Sequence, residues 1–71
     1  MAGNLLALWP KLTETERNLI NDAMHRYGPG SDIGVILFSS PERVIAILHI
    51  YGTTTALALA HKLRELQRAI P

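Results

Sequence analysis

Three histidines, His25, His49 and His61, are the side chains here that most readily bind a metal or move a proton at neutral pH. No two of them stand at i,i+4, no H-E-x-x-H is present and the chain has no cysteine, so no zinc-type ligand set forms from spacing alone. Gly28, Gly30 and Gly34 miss the G-x-G-x-x-G spacing of a phosphate-binding loop and follow no strand. Ser39, Ser40, His49 and Asp32 could be assembled on paper into a triad, but nothing in the sequence fixes their geometry, and helix capping accounts for the serines. The expectation is a chain with no catalytic residues, no metal and no cofactor, which is not an enzyme. The remaining reactive feature is a cluster of cations, His61, Lys62, Arg64 and Arg68, suited to phosphate contact.

The elements that must carry these side chains are helical. Ser39 with Glu42 fits a capping box, and Ser40 with Pro41 at the first helical position fits equally well. Gly52 closes the helix that follows. At about 100° per residue, Val44, Ile47, Leu48 and Tyr51 share one face, whereas Ile45 and Ile50 fall well off it. Either this helix is central in the protomer or its second face meets another chain. Thr53, Thr54 and Thr55 are alternative caps for a second helix, with Ala56, Leu59, Leu63, Leu66 and Ile70 as its core stripe. Leu57, His61, Arg64 and Arg68 form the opposite line.

This hairpin resembles the first two helices of helix-turn-helix and winged-helix DNA-binding domains over residues 42–63. The resemblance is carried by Arg43-Val44-Ile45-Ala46-Ile47-Leu48, Tyr51-Gly52, Thr55-Ala56-Leu57 and Leu59-Ala60-His61-Lys62-Leu63. It implies a helical hairpin and, further, phosphate contacts by His61, Lys62, Arg64 and Arg68. No turn signal follows Leu63. Residues 64–70 continue the same helix to Pro71, leaving no separate recognition helix or wing within this stretch.

Upstream, Asn4 is a candidate cap for a short helix from Leu5 to Trp9, before Pro10. Trp9, the single tryptophan, is a candidate partner contact because tryptophan is enriched at interface hot spots. Thr13 and Glu16 form a capping box, and the helix they open runs to Tyr27, with Gly28, Pro29 and Gly30 ending it. Leu19, Ile20, Ala23, Met24 and Tyr27 make its apolar side. Residues 33–38 read as a short helix capped by Ser31 or Asp32, or as a lone strand pairing with its own copy across a dimer axis. His25-Arg26-Tyr27-Gly28 and His49-Ile50-Tyr51-Gly52 repeat a His-x-Tyr-Gly ending, as expected of two helices stopped by the same chemistry.

Seventy-one residues make one small domain, all-α, a bundle of four or five short helices. A chain of this length buries only about 60% of its unfolded surface. Yet 48% of this one is hydrophobic, and its mean hydropathy is +0.14. A homodimer would supply missing core and cover the apolar surplus, with Trp9, Ile45, Ile50 and Leu57 as self-association or partner contacts. The net charge of +1 lacks the basic excess of dedicated nucleic-acid binders. No apolar run approaches the roughly 20 residues that span a bilayer. The N-terminus lacks the basic region and cleavage site of a secretory signal, which makes the cytoplasm the default location. These readings converge on a small regulatory or inhibitory protein-interaction module, with a minimal DNA-binding regulator as the alternative.

Overall fold

The computed structural model describes residues 3–69. Two 3-10 turns, Leu5–Ala7 and Trp9–Lys11, lead into four α-helices: α1 (Glu14–Tyr27), α2 (Ile33–Leu37), α3 (Pro41–Tyr51) and α4 (Thr54–Ala69). The fold is all-α, and the 33–38 run is a helix over Ile33–Leu37 followed by a turn at Phe38 rather than a strand. Asp32 precedes α2 without a side-chain capping bond. Ile70, expected on the core stripe of α4, lies outside the described residues.

Local chemistry explains where the helices begin. The Thr13 amide donates to Glu16 Oε1 at 2.8 Å and the Glu16 amide to Thr13 Oγ1 at 3.2 Å, completing the capping box. Of the two caps open for α3, Ser40 is the one used. Its hydroxyl accepts from the Arg43 amide, and Pro41 takes the first helical position. Ser39 instead turns back and donates to the Val35 carbonyl at 2.6 Å, so the Ser39–Glu42 box does not form. Thr53 caps α4 by accepting from the Ala56 amide. Asn4 makes no side-chain cap, and the expected helix from Leu5 to Trp9 is instead two successive 3-10 turns, closed by i→i+3 bonds such as Leu8 N–H to Leu5 O.

The two His-x-Tyr-Gly endings have different causes. Gly52 sits at φ 78°, the left-handed cap that glycine adopts without steric cost. Gly28 is extended, with φ −113°. A Cβ there would lie 3.0 Å from both Ile47 Cδ1 and the Met24 carbonyl oxygen, so glycine serves the close approach of α1 to α3.

α3 is the central helix. It packs most extensively on α4 and then on α1. Val44, Ile45, Ile47 and Leu48 are all buried, along with Pro41 at its start. Leu5 and Leu8 of the first turn, Ile20 and Met24 of α1, Ile36 of α2 and Leu63 of α4 complete the largest buried side chains. Leu5 is further tied down by its amide, which donates to the Ser39 carbonyl at 2.8 Å. No polar side chain is buried among the described residues. The accessible surface, 4324 Å², matches the roughly 4,400 Å² expected for a monomeric protein of this mass. The protomer thus exposes about as much surface as a monomeric protein of its mass.

Candidate interaction surfaces

The contact residues expected from sequence separate into three groups. Ile45 is 5% exposed and belongs to the core. It lies off the stripe of Val44 and Leu48, but α3 is packed by both α1 and α4, so its buried arc is wider than one stripe. Ile45 is accordingly not a surface contact. Trp9 is half-buried beneath Arg17. The Arg17 guanidinium carbon lies 5.7 Å from its ring centroid, and Arg17 Nε donates to the Trp9 carbonyl at 3.1 Å. Ile50 and Leu57 stand out from the surface at 63% and 42% exposure, one near the end of α3 and the other in the first turn of α4.

Further exposed apolar side chains come from α2 and the N-terminal turns. Phe38, the single phenylalanine, is 70% exposed, and Ile33, Val35 and Leu6 are also exposed. The sequence places residues 33–38 in the apolar surplus that a self-association surface would cover, whether helix or strand. The signal that finds them in a helix is length: five residues of α2 bury one side, here Ile36, and leave its neighbours outside. Tyr27, assigned to the apolar side of α1, is half exposed and stacks edge-on against Tyr51, with centroids 5.7 Å apart.

The cationic cluster on α4 is divided. His61, Arg64 and Arg68 are exposed, and Arg68 lies 3.4 Å from Glu65. Lys62 points the other way, toward α1. Its ammonium donates to both oxygens of Glu16, at 2.7 and 2.9 Å. Burial raises the Glu16 pKa, but the Lys62 hydrogen bond and those from Thr13 outweigh it and leave the carboxyl below its ordinary value. This ion pair flanks an apolar groove of about 390 Å³ between α1 and α4, lined by Leu19, Ala58 and Leu59. α4 continues unbroken past Leu63 to Ala69, so the turn that precedes a recognition helix is absent from these residues.

A second groove, of about 330 Å³, lies between α1, Trp9 and α2. Near its end, Ser31 Oγ and His25 Nδ1 are 3.3 Å apart. Both are surface groups, and among the described residues no third group orients the imidazole, so the pair has the form of a loop contact and not of an activated nucleophile. No group of three or more metal-ligating side chains converges among the described residues. None of their helices is long and apolar enough to cross a membrane.

No family model matches this sequence, and neither a curated protein sequence nor a solved structure is significantly similar to it.

Proposed function

We propose that this protein is a small protein-interaction module that self-associates as a homodimer and acts as a regulator or inhibitor of a larger macromolecule in the cytoplasm. The observation that carries the reading is the set of large apolar side chains left in solvent by a closed core: Phe38, Ile50, Ile33 and Leu57 foremost. Phe38 and Ile50, at 70% and 63% exposure, are large apolar side chains that a partner surface would desolvate. Desolvating such anchors is the main source of affinity at protein interfaces. The balanced charge fits a contact surface better than it fits a phosphate-binding one.

The alternative, a DNA-binding regulator, draws on the exposed line of His61, Arg64 and Arg68 along α4. Against it, Lys62 is committed to Glu16 and Arg68 neighbours Glu65. Affinity capture with the wild-type chain, repeated with Ile50→Ser and Leu57→Ser, separates the two. Loss of a protein partner in the serine variants supports the interaction reading. Unchanged capture of duplex DNA by the same variants contradicts it.

A further inference from the structure

The α1–α2 groove differs in character from the apolar surfaces. Its floor is apolar, formed by Trp9, Ile33 and the buried Ile36. Its α1 wall is polar, formed by Glu14, Arg17, Asn18 and Asn21, which share one face by their three-, four- and seven-residue spacing. At about 330 Å³ it lies at the lower end of volumes that hold small ligands.

Arg17 is fixed in this wall. Its Nε is spent on the Trp9 carbonyl and its plane is held near the indole, which leaves the two terminal amino groups of the fork for a guest. Glu14 stands one turn earlier on the same face. No ion pair joins Glu14 to Arg17 or either of them to another described residue. The groove therefore carries one fixed cation and one carboxylate, about 5–6 Å apart at their Cβ atoms by helix geometry, beside an apolar floor.

We propose that this groove binds a small zwitterion with an apolar side chain, a free α-amino acid such as leucine. Arg17 receives the carboxylate, Glu14 the ammonium, and Trp9 and Ile33 the side chain, above the buried Ile36. Asn18 and Asn21 supply the remaining hydrogen bonds. Charge complementarity selects this occupant. A simple anion meets Glu14, a simple cation meets Arg17, and a wholly apolar molecule leaves both charges without a partner. The inference goes beyond the self-association reading and shares only Ile33 with it, while Trp9, Arg17 and Glu14 belong to the groove alone.

The test uses the wild-type chain and amide-resolved NMR titration. Trp9 is the only tryptophan, so its indole N–H resonance reports the groove without ambiguity. L-leucine is expected to shift the Trp9 indole and the Asn18 and Asn21 side-chain amides saturably. Leucinamide, which lacks the carboxylate, and 4-methylpentanoate, which lacks the ammonium, are each expected to bind at least about tenfold more weakly, the scale of one lost charge-assisted contact. Glu14→Gln, at the exposed start of α1, is expected to weaken leucine and leave 4-methylpentanoate unchanged or improved. Absence of a saturable leucine shift overturns the proposal, and so does equal binding of leucine and the two analogues.

Discussion

The Tyr51 hydroxyl donates a 2.5 Å hydrogen bond to Asp22 Oδ2, joining the last residue of α3 to the middle of α1. The other carboxylate oxygen accepts from Arg26 Nε at 3.0 Å. Asp22 thus bridges two helices at the rim of the core. The Tyr51 bond, followed by that from Arg26, holds the Asp22 carboxyl below its ordinary pKa, and the same bond pushes the Tyr51 phenol up.

This bridge predicts a pH dependence. A carboxyl whose folded pKa is depressed contributes stability that is present above its unfolded pKa, near 3.9, and is lost as pH falls through the folded value. Tyr51→Phe is expected to move the Asp22 pKa back toward the ordinary carboxylate range in a carbon-detected NMR titration. An Asp22 pKa unchanged by the substitution would show that the hydroxyl does not hold it.

Leu48 is fully buried on α3, between Val44 and Tyr51. Leu48→Ala is expected to lower stability by about 2–5 kcal/mol, and Ile45→Ala by a similar amount. Ile50→Ala, on the exposed side of the same helix, is expected to stay within about 0.5 kcal/mol of wild type in thermal or urea unfolding of the dissociated chain. If Ile45 and Ile50 exchanged these behaviours, the assignment of faces on α3 would be wrong.

Gly28→Ala is expected to destabilise by about 1–3 kcal/mol, because the new methyl would meet Ile47 and the backbone of Met24. Pairing it with Ile47→Val, which removes the Cδ1 atom at 3.0 Å, should recover part of the loss. The cost at Gly52 has another origin, its positive φ, and Ile47→Val should not relieve Gly52→Ala. Melting curves of the four variants check both statements.

What could be read from the sequence was the short-range chemistry. The Thr13–Glu16 box and the Gly52 stop each lie within a turn or two of chain, where residue type and spacing determine the partner. The contacts that join helices were not legible. Glu16 meets Lys62 and Asp22 meets Tyr51 across 46 and 29 residues, and no local pattern marks them. For the same reason the sequence leaves Ile45 open between a central helix and a second interface, since a single stripe describes a helix with one neighbour and α3 has two. Of the surface, Ile50 and Leu57 were found as apolar residues on otherwise polar faces. The exposure of Phe38 depends on how short α2 is, which its apolar run does not disclose.

The DNA-binding alternative makes a distinct prediction. If phosphate contact by α4 drives binding, replacing Arg64 and Arg68 by alanine should reduce the salt slope of affinity by about two. The interaction account expects no sequence-selective duplex complex at about 150 mM salt, where specific DNA readers still bind tightly. A nanomolar gel-shift complex lost in the double variant would favour the alternative.

Self-association through exposed apolar side chains is the claim on which the functional reading most depends. Sedimentation equilibrium at micromolar concentration tests it directly. The account predicts a species of twice the 7.9 kDa protomer mass, shifted toward monomer when Phe38, Ile50 and Leu57 are replaced by serine. A wild-type chain that sediments only at 7.9 kDa across the same range would contradict it.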